Sequence, residues 1–103
     1  MRYLKVKWTH TAPSEPVEIY SELDDENWEV RKVEIYATGM MDRADAMQAT
    51  GSTMLSEVPY PSLAEIASDP QFLPEEISRS AFEEVWAAAM NTGSDHEAGR
   101  RLH

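Results

Sequence analysis

Two β-forming segments around a polar break constrain this chain most, and together they span Pro16 to Tyr36. The break is Asp24-Asp25-Glu26-Asn27, and the pattern predicts a β-hairpin with a four-residue loop. From Glu15 to Glu29 the sequence holds seven acidic residues and no basic one. Such a hairpin carries its negative charge at the tip, which is typical of a binding surface rather than of a reaction centre.

The charge of the whole chain narrows the class of partner. Its 103 residues include 9 Lys and Arg against 19 Asp and Glu, which gives a net charge of -10. That charge disfavours direct binding to nucleic acid or to an anionic membrane, since both would add like charge. It favours solubility and fast capture of a basic protein partner.

The length and composition fit a single domain over residues 1–92, followed by a polar tail over 93–103 that we expect to be flexible. The chain has no cysteine, which excludes disulfides, thiolate zinc sites and a cysteine nucleophile. It contains no apolar run of 18 residues, and its start lacks the apolar segment of a signal peptide. We therefore expect a cytoplasmic protein without a membrane segment.

The first predicted strand, Tyr3 to Thr9, alternates apolar and polar side chains, as half-buried strands do. Its polar face is basic through Lys5 and Lys7, and we expect this face beside the acidic residues of the next strand, Val17 to Leu23. The positions expected to point into the core are Leu4, Val6, Trp8, Val17, Ile19, Val33 and Ile35.

The third predicted strand breaks the alternation, because Trp28 and Val30 share one parity while Val33 and Ile35 take the other. A β-bulge near Arg31-Lys32 would restore a single apolar face. The alternative is a strand covered on both faces. The sequence favours the bulge.

The middle of the chain gives weaker signals. Met40 to Ala46 predicts a fourth strand, although Asp42 to Ala49 could equally begin a short helix. Thr53 to Val58 predicts a short strand, and Gln71 to Glu76 reads as a connecting loop.

Two helices are predicted after Pro59. Ser62 and Glu65 form a capping box that predicts a short helix through Ser68. A longer helix follows from an apolar stripe at helical spacing; it begins at Ser78 or Ser80 and is expected to end at Gly93. The stripe consists of Phe82, Val85, Trp86, Ala89 and Met90. The fold class is therefore α+β, with an antiparallel sheet of four to five strands and both helices on one face.

The sequence offers no recognisable catalytic or metal site. The three histidines are His10, His96 and His103, and no convergent set of ligands accompanies them. No nucleophile elbow and no glycine-rich phosphate loop occurs. We expect a protein that is not an enzyme and needs no cofactor and no metal.

The acidic hairpin allows two interpretations. Its charges could be a solvated surface paired with nearby lysines and arginines. They could instead form a partner-binding site in which carboxylates steer a basic protein and aromatic residues anchor it. The residues of that site would be Tyr20, Glu22, Asp24, Asp25, Glu26 and Trp28. The rival acidic surface consists of Glu75-Glu76 and Glu83-Glu84.

Several stretches of the chain resemble a small bacterial domain family of unknown function. They include 1–8, 18–24, 28–36, 61–66, 69–72 and 82–86, so the resemblance extends from Met1 to about Met90. Residues 40–50 depart from the family pattern, which is more polar and contains glycine. Residues from Gly93 onward have no counterpart in it.

Such domains are similar to the immunity proteins that accompany bacterial polymorphic toxins. The resemblance implies an inhibitor that neutralises a basic toxin domain, such as a nuclease or another enzyme that modifies nucleic acid. Two alternatives remain: a nucleic-acid mimic that blocks a defence enzyme, and a general interaction domain without an inhibitory role. The family has no established catalytic residues to carry over.

Overall fold

The computed structural model describes residues 1–51 and 53–102, with side chains described through residue 91. Its centre is a five-stranded antiparallel sheet of order β4-β3-β2-β1-β5. The elements in chain order are β1 (Arg2–Trp8), β2 (Glu18–Leu23), β3 (Glu29–Ile35), β4 (Met41–Ala44), α1 (Leu63–Ala67), β5 (Phe72–Ile77) and α2 (Arg79–Leu102). The α+β class and the antiparallel sheet are confirmed.

The predicted hairpin is present as β2 and β3, which pair from Glu18↔Ile35 to Leu23↔Glu29. The chain reverses through a tight turn closed by a hydrogen bond from Asp24 N–H to Trp28 O, 2.9 Å long. Asn27 takes the left-handed conformation there, with φ of 68°. Asparagine tolerates this conformation better than most residues, which accounts for its place in the turn.

The sheet is covered on both faces, and this corrects the prediction of a single apolar face. In β1 the neighbouring residues Tyr3 and Leu4, which point to opposite sides, are 6% and 1% exposed. The register places Leu4, Val6 and Ile19 on one face. The core residues Val33 and Ile35 lie on the other, so the predicted inward set is divided between two layers. The two helices accordingly lie on opposite faces instead of sharing one.

The face that carries Val33 packs against α2, and we call it the α2 face. Its core cluster comprises Tyr3, Tyr20, Val33, Phe82 and Ala89, with Ile35, Met41, Ile77, Val85 and Trp86 around it. Phe82 is completely buried, and its ring centroid lies 5.4 Å from that of Tyr3. Burial of a side chain of this size contributes roughly 2–3 kcal/mol to stability. The predicted packing of the helical stripe on the sheet is confirmed.

The opposite face, the α1 face, is covered by α1 and by the irregular segment 53–62 that precedes it. The predicted strand over Thr53–Val58 is wrong, since these residues form no sheet pairing. Their polar groups bond to side chains of β3 and not to a strand backbone. Ser56 N–H donates to Glu29, and Thr53 Oγ1 donates to Glu34. The capping box of α1 is confirmed, because Ser62 Oγ accepts from Glu65 N–H at 3.2 Å.

A β-bulge does occur in β3, one residue before the predicted position. Glu22 pairs with Arg31 whereas Leu23 pairs with Glu29, which leaves Val30 as the extra residue. Beyond this bulge the strand changes parity. Glu29 and Lys32 would point to opposite faces of a regular strand, but here both lie on the α1 face and form an ion pair of 3.1 Å.

The segment 71–76, predicted as a loop, is instead largely the edge strand β5, which pairs with β1 from Trp8↔Phe72 to Tyr3↔Ile77. Thr9 N–H donates to Gln71 O, and in an antiparallel ladder every second pair of opposite residues is hydrogen-bonded. The backbone N–H and C=O groups of Phe72, Pro74 and Glu76 therefore point away from β1. Pro74 therefore removes no ladder bond, which is how an edge strand tolerates proline.

The fourth strand is confirmed as β4, and the alternative of a helix from Asp42 is wrong.

Of the two predicted starts of α2, the structure shows Ser78, whose Oγ accepts a hydrogen bond from Ala81 N–H at 3.1 Å. The helix continues to Leu102, so the prediction that Gly93 ends it is wrong. The prediction that residues 93–103 form a flexible polar tail is not tested by the structure and stays a prediction.

Candidate functional site

The hairpin tip, defined as Asp24–Trp28, is held together by hydrogen bonds to Asp24. Asp24 Oδ1 accepts hydrogen bonds from the backbone N–H groups of Glu26 and Trp28, each at 2.9 Å. A third bond runs from Asn27 N–H to Asp24 O at 2.9 Å. Aspartate favours such turns because its short side chain satisfies backbone donors two residues further on. The tip is therefore a preformed surface.

Three side chains of the tip are available to a partner. The Asp25 side chain is 99% exposed, and its one ion pair among the described residues is a long 3.8 Å contact with the N-terminal amine. Glu26 is exposed, and Trp28 is 40% exposed despite its size. The tip thus presents two carboxylates beside an indole, a combination of charge and aromatic surface that suits recognition of a cationic protein.

Two of the predicted partner-binding residues do not join this surface. Tyr20 is 9% exposed and belongs to the core cluster. Glu22 is 6% exposed and lies under α2. The strand register explains both positions, since Tyr20 and Glu22 are on the α2 face beside Val33 and Arg31. Sequence reasoning placed them on the surface because it assumed a single buried face.

Arg31 is the reason that Glu22 can be buried. Its Nε lies 2.6 Å from Glu22 Oε1 and its Nη2 lies 3.0 Å from Glu22 Oε2, which is a bidentate pairing. The same guanidinium holds Glu83 of α2 through bonds of 2.7 and 3.1 Å. It also lies 4.9 Å from the ring centroid of Phe82 and 5.0 Å from that of Trp86. These contacts fasten α2 to the sheet.

The charges of this cluster perturb one another. Hydrogen bonds from Arg31 lower the pKa of the Glu22 carboxyl below its ordinary value, and they do the same for Glu83. The pKa of Arg31 is raised by the same bonds. Burial, followed by the bond to Glu22, raises the pKa of Tyr3. Glu83 is therefore engaged in a structural contact, which weakens the rival acidic surface.

Arg2 connects the tip with the rival surface. Its Nη1 donates to Asn27 Oδ1 at 2.9 Å, and its Nε lies 3.6 Å from Glu76 Oε2 of β5. The two acidic segments that the sequence presents separately therefore meet at one end of the sheet, with an arginine between them.

A second polar cluster lies on the α1 face around Glu29, whose side chain is 0% exposed. Glu29 Oε2 accepts from Ser21 Oγ at 2.8 Å and from Tyr60 OH at 2.7 Å. Glu29 Oε1 accepts from Ser56 N–H at 2.7 Å and pairs with Lys32 at 3.1 Å. These contacts tie β3 to β2 and to the segment 53–62, so the cluster holds the chain together.

Tyr60 joins this cluster to the hairpin tip. Its hydroxyl bonds to Glu29, while its backbone N–H donates to Asn27 O at 2.8 Å. Burial, and next the nearby Glu29 charge, raise the pKa of the Tyr60 phenol. This role could not be predicted from the sequence, because Tyr60 lies between two prolines in an irregular segment.

An apolar pocket of about 300 Å³ opens on the α1 face. Val6 of β1, Ile19 of β2 and Phe72 of β5 form one side of it, and Ile66 of α1 forms another. Tyr60, Pro61, Glu65 and Asp69 complete the lining. Sequence analysis missed this pocket since it expected no second layer over this face of the sheet.

No group of three metal-ligating side chains occurs among residues whose side chains the structure describes. His10 has a structural contact, with Nδ1 accepting from Ala12 N–H at 3.0 Å and Nε2 within 2.7 Å of Pro16 O. The side chains of His96 and His103 lie outside the described residues. Among the helices that are described, none has the length and apolar character needed to cross a membrane.

Comparison with known proteins gave one match. A family model described as "Domain of unknown function (DUF6881)" matches residues 2–91. No curated protein and no solved structure matches the chain significantly. The predicted resemblance to a small domain family of unknown function is confirmed, and the likeness to immunity proteins stays a prediction.

Proposed function

The chain belongs to the DUF6881 family of domains of unknown function, and on this premise we propose that it is an acidic binding protein that captures a basic protein through its hairpin tip. The observation that carries the proposal is the preformed turn, which presents Asp25, Glu26 and Trp28 together. A rigid surface loses little conformational entropy on binding, and this favours affinity.

The partner class that fits best is a basic toxin domain, which the protein would neutralise as an immunity protein does. The net charge of -10 supports this choice, because complementary charge can raise association rates by about 10–10³-fold. An inhibitor of a toxin inside its own cell benefits from fast capture. The buried position of Glu22 limits the steering charges to Asp24, Asp25 and Glu26.

The test is affinity capture from the native host with four purified forms of the protein. These are the wild type, a tip variant (Asp25→Asn with Glu26→Gln), a rival-surface variant (Glu75→Gln with Glu84→Gln) and a matched control (Glu15→Gln with Glu57→Gln). All six substituted positions are exposed, and each altered form loses two negative charges. The captured protein is identified, and its toxicity is measured with and without each form.

We expect a basic protein that the wild type and the control bind and neutralise, and that the tip variant binds at least about tenfold more weakly. Full protection by the tip variant, together with failure of the rival-surface variant, would place the interface on the other acidic segment. A captured partner with an acidic binding surface would contradict the proposal as a whole.

A further inference from the structure

We propose that the apolar pocket on the α1 face is a second binding site, which receives one large apolar side chain flanked by basic residues of a partner peptide. The pocket lies on a different surface from the hairpin tip, and its use does not depend on the function proposed for the tip. The inference rests on three features of the pocket: its apolar lining, its acidic rim and its fixed walls.

The lining of the pocket is apolar and incompletely covered. Val6 and Ile19 lie opposite each other on neighbouring strands. Val6 is buried, whereas Ile19, Ile66 and Phe72 are each only half-buried although their side chains face the pocket. A ligand that covers them would remove apolar surface from water, which is the main favourable contribution to binding in such pockets.

The polar side chains of the rim are acidic. Glu65 and Asp69 both line the pocket, and neither has an ion pair with a cation among the described residues. Asp69 uses Oδ1 to accept from Gln71 N–H, and Glu65 Oε1 lies 3.4 Å from Ser62 Oγ. Each carboxylate therefore retains accepting capacity for a lysine or arginine beside an apolar anchor.

The walls of the pocket are held before any ligand arrives. Tyr60 is fixed by Glu29 and by Asn27 O, and α1 is capped by Ser62. On the remaining side, Phe72 N–H donates to Asp69 O at 3.0 Å. Ordered walls reduce the cost of binding because the protein loses little freedom when the pocket fills.

The volume and the charge together select the occupant. A cavity of about 300 Å³ is at the lower end of ligand pockets and suits a single side chain such as phenylalanine or leucine. A second copy of this chain is disfavoured as occupant, since it would bring a further net charge of -10 to an acidic rim. A basic peptide with one apolar anchor satisfies both the lining and the rim.

The test uses synthetic peptides and NMR of the methyl groups of Val6, Ile19 and Ile66. The probe is acetylated Lys-Lys-Phe-Lys-Lys amide, compared with the same peptide carrying Ala in place of Phe and with Glu-Glu-Phe-Glu-Glu. We expect saturable shifts of these methyl signals with the first peptide and none with Glu-Glu-Phe-Glu-Glu. Replacement of Phe by Ala should weaken binding by at least about tenfold, as expected when a large apolar side chain is lost.

Two variants with equal loss of charge complete the test. Glu65→Gln with Asp69→Asn keeps the acceptors of the capping bonds and should weaken binding of the Lys-Lys-Phe-Lys-Lys peptide at least about threefold. Glu15→Gln with Glu57→Gln removes the same charge from exposed positions outside the pocket lining and outside the hairpin tip, and it should leave this binding unchanged. Equal weakening by both variants, equal binding of the glutamate peptide, or shifts confined to the tip would each overturn the proposal.

Discussion

The carboxylate of Glu29 connects parts of the chain that are distant in sequence. It bonds to Ser21 on the neighbouring strand and to Ser56 and Tyr60 in the segment that covers the α1 face. A buried carboxylate is costly unless its oxygens are fully bonded, and here four partners surround it. In the sequence, Glu29 is one of seven acidic residues of the hairpin region, but in the structure its buried carboxylate holds β3 to its neighbours.

Replacement of Glu29 by alanine tests this role. Glu29→Ala removes the acceptor of Ser56 N–H and the carboxylate paired with Lys32, which keeps its bond to Met54 O. We therefore expect the free energy of unfolding to fall by about 3–5 kcal/mol. Urea denaturation measures this change. The matched control, Glu26→Ala, removes an exposed carboxylate and should change stability by about 0.5 kcal/mol or less. A loss below about 1 kcal/mol for Glu29→Ala would contradict the assigned role.

The pairing of Glu22 with Arg31 predicts a dependence of stability on pH. Because these hydrogen bonds lower the pKa of folded Glu22, its contribution is fully present above the pKa of the unfolded chain. It is lost as the pH falls through the lower folded pKa. Stability should therefore decline below about pH 4.3, the ordinary glutamate pKa.

The variant Glu22→Gln isolates this contribution. At neutral pH it should be less stable than the wild type, and the difference should shrink as the pH falls below the ordinary glutamate range. Urea midpoints measured for both proteins across the acid range give the comparison. A difference that stays constant with pH would show that ionisation of Glu22 does not stabilise the fold.

Among the elements, β5 shows how backbone direction decides whether proline is tolerated. The sequence Phe72-Leu73-Pro74-Glu75-Glu76 has a proline and two acidic residues, and these oppose a strand in any reading based on propensity. Only the pairing with β1, which is distant in sequence, shows that the missing N–H of Pro74 would point away from the sheet.

Replacement of Pro74 by valine restores a backbone donor at the outer edge of the sheet. We expect Pro74→Val to keep the fold and to associate with itself at concentrations where the wild type stays monomeric, since an open edge can pair with another strand. Sedimentation velocity over a range of concentrations measures this. Leu73→Thr, on the same strand, is the control and should not add association. Identical behaviour of Pro74→Val and the wild type would refute the assignment of Pro74 as a blocking residue.

Features that depend on residues close together in the sequence were predicted correctly, and features that depend on distant segments were not. The β2–β3 hairpin, the Ser62 cap and the stripe on α2 depend on residues close together, and all three were predicted. The division of the sheet into two covered faces depends on which segments return to cover it, and local periodicity holds no such information. The apolar pocket was missed for the same reason, and Tyr20 and Glu22 were placed on the wrong side.

At the scale of the molecule, attraction of a basic partner depends less on the net charge of -10 than on where the acidic residues without close ion pairs lie. Lys5 pairs with Glu18, and Arg31 with Glu22 and Glu83, so these acidic residues are partly neutralised within the fold. Asp25 and Glu26 at the hairpin tip are exposed, with only the long contact of Asp25 to the N-terminus. Other exposed carboxylates lie elsewhere on the surface, but these two adjoin Trp28 at the proposed interface, so we expect attraction of a basic partner to this interface to depend strongly on them.

Association kinetics with the captured partner test this expectation. Asp25→Asn with Glu26→Gln should slow association and reduce its dependence on salt, while dissociation changes little. Trp28→Ala should cost about 2 kcal/mol or more, mainly through faster dissociation, because an aromatic anchor acts after encounter. Surface plasmon resonance at several salt concentrations separates the two effects. Slower association for Trp28→Ala with unchanged dissociation would contradict this division of roles.

The position of β5 beside β1 also determines the order in which the two edges of β1 can pair during synthesis. The strand β2 follows β1 closely and can pair with it early, but the other edge of β1 waits until residues 72–77 have been made. At ordinary translation rates of about 5–20 residues per second this interval lasts roughly 3–14 s. Lys5 and Lys7 lie on the waiting strand, and charged residues of this kind discourage pairing with other chains. We therefore expect Lys5 and Lys7 to reduce pairing of this open edge with other chains until β5 has been made.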